Sequence, residues 1–133
     1  SNSKELADLI SSLKLKVRRK HHPATLTFQA LRMEVNDEVE ELNQALSDSF
    51  SLLGVGGRLA VISYHSTEDK IVKKFINKGL QSCECPPLNF ECNCDIEPIL
   101  KLTNKKPITP TDEELHQNSR SRSAKLRVIE RIK

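Results

Sequence analysis

An α/β fold is what this sequence predicts, and three observations predict it. Leu59-Ala60-Val61-Ile62 is an unbroken apolar run without the alternation of a half-wet strand, so both faces are expected to be covered, as in a parallel sheet. A glycine-rich turn, Gly54-Val55-Gly56-Gly57, precedes it, and the polar turn Ser63-Tyr64-His65-Ser66 follows it. Apolar residues at helical spacing flank the strand on both sides. Helix, glycine turn, buried strand, helix is the grammar of a doubly wound sheet. In open α/β sheets ligands sit at the carboxyl ends of the strands, which here is Ser63 to Asp69.

Residues 4–17 place Leu6, Leu9, Ile10, Leu13 and Val17 on one side of a short amphipathic helix. The basic block Lys14, Lys16, Arg18, Arg19 and Lys20 and then His21-His22-Pro23 interrupt it, since proline disfavours helix at the residue before it. The strongest periodicity comes next. Phe28, Leu31, Val35, Val39, Leu42, Leu46, Phe50 and Leu53 recur at steps of three and four and trace one helical stripe, with a kink or new start at Asn36-Asp37. Ser66-Thr67-Glu68-Asp69 reads as a capping box for a helix carrying Ile71, Val72, Phe75 and Ile76. After a loop containing cysteine and proline, Ile99 to Leu102 is expected as a short strand. Thr109-Pro110-Thr111-Asp112-Glu113-Glu114 supplies a cap, a first-turn proline and first-turn acids for a short helix. Ser123 to Ile132 suits a final strand.

At 133 residues the chain is one domain at most, and with aromatics at 4% its core must be aliphatic. It has no run near the ~20 apolar residues of a membrane span and no signal-peptide pattern at its start, so an intracellular setting is expected. The net charge of +3 is modest, but the basic residues gather. The block ending at Lys20 is one cluster; Arg120, Arg122, Lys125, Arg127, Arg131 and Lys133 form another. Such clusters suit a polyanion, through counterion release, or are simply solvated faces. Three strands are few for a sheet covered by helices on both faces. The chain therefore reads as a piece of a larger fold or one that a partner completes.

His65 stands between hydroxyl residues at a strand end, where an imidazole can orient a substrate, move a proton or only bond the turn. Glu68 and Asp69 read as helix-capping acids before catalytic ones. Ser63 and Ser66 lack the glycine-flanked elbow of a serine nucleophile. Cys83-Glu84-Cys85 and Cys92-Asn93-Cys94 form a C-x-C pair that fits zinc, disulfides or four reduced thiols, although zinc pairs are usually spaced wider. His21 and His22 are adjacent, so their side chains diverge on a helix; a polar loop with Lys20 and Arg32 facing nucleic acid suits them better. The one glycine-rich stretch precedes a strand, whereas a phosphate cradle follows one.

His22-Pro23-Ala24-Thr25, Phe28-Gln29-Ala30-Leu31-Arg32, Val35-Asn36-Asp37-Glu38, Gly56-Gly57-Arg58-Leu59, Ile62-Ser63-Tyr64-His65-Ser66, Glu68-Asp69-Lys70-Ile71-Val72-Lys73 and Arg122-Ser123-Ala124-Lys125-Leu126-Arg127 occur in order. Together they resemble the RsmH (MraW) family of S-adenosylmethionine-dependent methyltransferases acting on cytidine N(4) of small-subunit ribosomal RNA. The resemblance runs from about residue 4 onward. Tyr64, Thr67 and Lys70 stand where Phe, Leu and Arg are usual, and Leu26 replaces a common Arg. It implies the C-terminal part of a Rossmann-like class I methyltransferase sheet. Residues 1–23 would end a helical substrate-recognition insert, and 24–133 would be the C-terminal half of the catalytic domain. The half that carries the cofactor loop would lie outside this chain, so no residue here is assigned to S-adenosylmethionine and the isolated chain is expected to be inactive.

On that reading Ser63, Tyr64, His65 and Ser66 form the rim of the catalytic pocket, and Lys20, His22, Arg32 and Arg58 contact RNA. No metal site is assigned. Ribosomal RNA or the 30S particle is the expected partner, in the cytoplasm and without a membrane. A non-enzymatic RNA-binding module, with a zinc loop built from the four cysteines, is the rival. A structural protein whose apolar stripe a partner covers, a second copy included, is the third reading.

Overall fold

The computed structural model describes residues 2–13, 22–83, 94 and 96–133. The basic block 14–20, with Lys20, and Cys85 and Cys92 lie outside the described residues. The chain divides into two compact units, Ser1–Glu41 and Leu42–Lys133.

In the first unit, α1 spans Ser3–Ser12, and Asn2 caps it by accepting the Glu5 N–H at 3.0 Å. Ile10 is its buried residue, while Leu9 and Leu13 stay exposed. α2 spans Thr25–Val35 and ends at the turn Asn36-Asp37, where Asp37 takes a left-handed φ of 49°. α3, Glu38–Leu52, starts directly after it. The expected single stripe is therefore two helices, with the break where Asn36-Asp37 signals it. The stripe also changes character: Leu31, Val35 and Val39 are exposed, whereas Leu46 and Phe50, in the second unit, are buried.

The second unit packs α3 and α4 (Ser66–Leu80) with β1 (Arg58–Ser63), β2 (Leu100–Leu102) and β3 (Lys125–Arg131). A short α5 (Asp112–Gln117) and a 3₁₀ turn (Ser119–Ser123) precede β3. Thr111 caps α5, accepting the Glu114 N–H at 3.3 Å, so Pro110 lies outside the helix rather than in its first turn. The sheet order is β1-β3-β2, with β3 antiparallel to both neighbours. Leu59 pairs with Ile129, and Ile129 with Leu102.

This corrects the expectation of an interior strand in a parallel sheet. The pairing partner of β1 is the C-terminal strand, which runs the opposite way. In the described sheet β1 is an edge strand whose burial alternates: Leu59 and Val61 are half-buried and Ser63 is buried, while Ala60 and Ile62 are exposed, Ile62 at 55%. The apolar run reports two apolar faces, of which the described residues cover one.

The covered face meets α3 and α4. Leu46, Phe50, Val72, Ile76, Leu100 and Ile129 form the core, and Phe50 meets Phe75 edge to face at 5.8 Å. Each such side chain contributes about 1.5–3 kcal/mol through removal from water. Helix and strand approach closely at Gly79, where a Cβ would stand 2.3 Å from Leu100 Cδ2. The turn into β1 needs Gly56, whose φ is +84° and whose N–H donates to the Arg131 carbonyl at 2.8 Å. Arg131 also closes the end of α3, its Nη1 donating to the Leu53 carbonyl at 2.6 Å and the Ser51 carbonyl at 3.2 Å. Among the described residues no helix is long and apolar enough to cross a membrane.

Candidate functional site

At the carboxyl end of β1 the chain leaves the sheet and enters α4 within three residues, and the turn is braced from two sides. The first brace is local. The helix is capped by His65 rather than by Ser66: His65 Nδ1 accepts the Glu68 N–H at 3.4 Å, and Glu68 Oε2 accepts the backbone N–H of Tyr64 at 2.8 Å and of His65 at 3.2 Å. This capping box satisfies donors that the first turn of a helix leaves open and sets a carboxylate at its positive end. Because Nδ1 accepts, the imidazole proton sits on Nε2. Nε2 lies 3.0 Å from Glu68 Oε1 but off the line of a hydrogen bond, and it is buried without an aligned acceptor among the described residues.

The second brace is long-range. Asp69 is buried, and its Oδ1 accepts from Arg127 at 2.9 Å while Oδ2 accepts from Lys125 at 3.2 Å. Lys73, one turn along α4, stands 3.4 Å from Oδ2. Burial alone would raise this carboxyl; the hydrogen bonds and charges of Arg127 and Lys125 more than offset it and hold Asp69 below its ordinary value. Asp69 thus ties α4 to β3 and is not a cap. Lys125 also pairs with Ser63 in the sheet, so this ion cluster fixes the strand end from which the turn departs.

Ser63 is buried, His65 half-buried, and Tyr64 and Ser66 exposed. These four adjoin one another, as chain order requires. Arg58 does not join them. It starts β1, at the opposite end from Ser63, and its guanidinium meets Glu130 Oε2 at 3.1 Å. Glu130 also holds Lys101 at 2.7 Å, forming a cross-strand ion ladder on the open face of the sheet. Hydrogen bonds from Lys101 and Arg58 hold Glu130 below its ordinary value. In the first unit, Arg32 donates to both carboxylate oxygens of Glu38, at 2.7 and 3.1 Å, spanning the break between α2 and α3. His22 Nδ1 accepts the Ala24 N–H at 3.2 Å at the start of α2. Sequence reasoning missed Glu68 as the partner of His65, and Lys125 and Arg127 as partners of Asp69. The first was findable, since Glu68 follows His65 at capping-box spacing.

Cys83 and Cys94 are half-buried. Among the described residues no three His, Cys, Asp or Glu side chains come together as metal donors.

A family model described as the MraW methylase family matches residues 1–132. The chain is 52% identical over 132 residues to the ribosomal RNA small subunit methyltransferase H of Dehalococcoides mccartyi, covering 97% of this chain and 38% of that protein. It is 47% identical over 135 residues to the protein of that name in Lawsonia intracellularis, covering 99% of this chain and 43% of the relative. In Finegoldia magna the same name goes with 47% identity over 131 residues, covering 96% of this chain and 42% of the relative. The chain thus spans about two fifths of the length of these relatives.

Proposed function

The chain belongs to the MraW methylase family, and on that premise we propose that its parent protein methylates the N(4) amine of a cytidine in small-subunit ribosomal RNA, in the cytoplasm. What supports the reading is the family match along the chain; the His65 turn, a strand end braced by Glu68 and by the Asp69 cluster, is the place proposed for the base. Residues 1–23 are proposed as the end of a substrate-recognition insert and 24–133 as the C-terminal half of the catalytic domain.

S-adenosylmethionine, when bound, supplies a sulfonium methyl group. The described residues do not fit its cradle. Gly54, Gly56 and Gly57 form the turn into β1, at the end of the strand opposite the His65 turn. The donor is therefore assigned to the part of the relatives' length that this chain does not span, and no residue here is given a share in holding it.

An exocyclic amine is a weak nucleophile because its lone pair is delocalised into the base. Alignment must supply much of the rate. Ser63, Tyr64, His65 and Ser66 are proposed to receive the unstacked base, the exposed Tyr64 ring offering it a stacking surface. Glu68 sets the His65 ring, and the buried Nε2 is proposed to meet a base-edge acceptor when the incoming base displaces the Glu68 Oε1 that lies 3.0 Å from it. Lys20, His22, Arg32 and Arg58 remain proposed RNA contacts, Arg32 and Arg58 only if RNA phosphates displace Glu38 and Glu130.

The test separates capping from chemistry. In the full-length enzyme, His65→Asn keeps a good N-cap but removes the imidazole. Turnover is expected to fall about a hundredfold, the lower end of the range for losing one positioned proton-handling group, with RNA affinity within about twofold. Wild-type turnover in His65→Asn would reduce His65 to a helix cap.

A further inference from the structure

The outer face of α4 carries Lys70, Lys74 and Lys78 at every fourth residue, with Lys73, Asn77 and Gln81 beside them. These six side chains line an open groove of about 790 Å³ that contains no carboxylate among its walls. All four lysines are exposed. Lys73 is held by Asp69, whereas Lys70, Lys74 and Lys78 make no ion pair among the described residues. Glu97 shares a neighbouring groove with Lys74 and Lys78 but is paired with Lys133, so the three like charges on this helix stripe repel one another at a cost in stability.

We propose that this stripe is a binding surface for the sugar–phosphate backbone of RNA. The inference rests on the reading above for which RNA is bound, and on the stripe itself for how. Four residues of helix rise about 6 Å. A stacked strand carries one phosphate per ~3.4 Å. The helical rise between successive lysines is of the same order as the phosphate repeat of a strand, so all three can reach phosphates of one strand. The stripe begins at Lys70, five residues after the His65 cap, so a strand laid on it leads toward the turn proposed to receive the base.

The charge pattern alone would also suit an anionic membrane surface, but the other face of α4 does not. A helix that lies in a membrane interface inserts an apolar face. Here Val72 and Ile76 are buried in the core, and Phe75 packs against it.

The experiment uses the full-length protein with Lys70→Gln, Lys74→Gln and Lys78→Gln combined, and the matching triple Lys→Arg variant. Affinity for a short single-stranded RNA is measured between 50 and 200 mM salt. Each phosphate contact contributes about 0.7 to the slope of log affinity against log salt on single strands, so the Gln variant is expected to lose about two units of slope and the Arg variant none. Unchanged slope and affinity in the Gln variant would overturn the surface. So would stripe-dependent binding to phosphatidylglycerol vesicles without stripe-dependent binding to RNA. RNA binding that depends on the stripe in a parent that methylates no RNA would leave the surface standing and remove the reading of function instead.

Discussion

Lys125, Arg127, Arg131 and Lys133, on and just after β3, each end on an oxygen of this chain: the first two on Asp69, the third on carbonyls closing α3, the last on Glu97. Lys70, Lys74 and Lys78 on α4 end on none of the described carboxylates. Each region carries four basic residues, Lys70, Lys73, Lys74 and Lys78 in one and Lys125, Arg127, Arg131 and Lys133 in the other. What separates them is the face on which each cation falls. Lys125, Arg127 and Arg131 alternate along β3 with the same phase as the core residue Ile129, so they point at the helices and must be paired. The α4 lysines lie opposite Val72 and Ile76 and face water. A run of basic residues thus says little about polyanion binding until the core face is known.

The strongest way to break this comparison is Arg127→Ala. If the β3 cations are structural, removing this partner leaves the buried Asp69 with only Lys125 and Lys73. The expected loss is about 3 kcal/mol of unfolding free energy, at the low end of the range for breaking a buried pair, read from urea denaturation. The triple Gln variant of the α4 stripe should stay within about 0.5 kcal/mol of wild type, as surface changes do. Equal costs for the two variants would erase the distinction.

Gly79→Ala sharpens the same contrast within α4. On the inner face an added methyl would stand 2.3 Å from Leu100 Cδ2 and 2.7 Å from Cγ, too near for Leu100 to keep its place. The expected cost is about 2 kcal/mol, typical of overpacking, and Leu100→Val should recover part of it. The methyl by itself favours helix by about 1 kcal/mol, so a stabilised Gly79→Ala would mean that α4 and β2 pack less closely than described.

The glycine turn, the strand, the polar turn and the helix after it were all legible, because each is punctuated locally by glycines, an apolar run and Glu68 at capping-box spacing. So was the break at Asn36-Asp37. The direction of the sheet was not. Arg58 finds Glu130 across the sheet, and no local pattern encodes that pairing. The apolar run 59–62 gave the composition of both faces correctly but not their coverage. At the site, the turn was found and its cap misplaced by one residue, since a hydroxyl is the commoner N-cap and His65 fills the role with Nδ1. The roles of Lys125 and Arg127 were hidden for the same reason as the sheet: their partner Asp69 lies 56 and 58 residues away. The α4 lysines escaped notice because a stripe at every fourth residue does not read as a run.

The acid limb of stability gives the smallest effect and isolates one carboxylate. Asp69 titrates in the fold below its ordinary value of 3.8, because Arg127 and Lys125 favour its charged form over the cost of burial. A group held low in the folded state contributes stability that is complete above its unfolded value and is lost as pH falls through its folded value. The Asp69 contribution is therefore constant at neutral pH and disappears only below about pH 3.8. Asp69→Asn should lower the unfolding midpoint at pH 7 and converge with wild type as the pH drops through that window. Glu130→Gln provides the contrast, since Glu130 is also held low but sits on the open face of the sheet, where solvent screens its partners. Its acid limb should nearly superimpose on that of wild type. If Glu130→Gln flattened the limb as much as Asp69→Asn, the exposed ladder would be as strong as the buried cluster, and the difference drawn between inward and outward cations would fail.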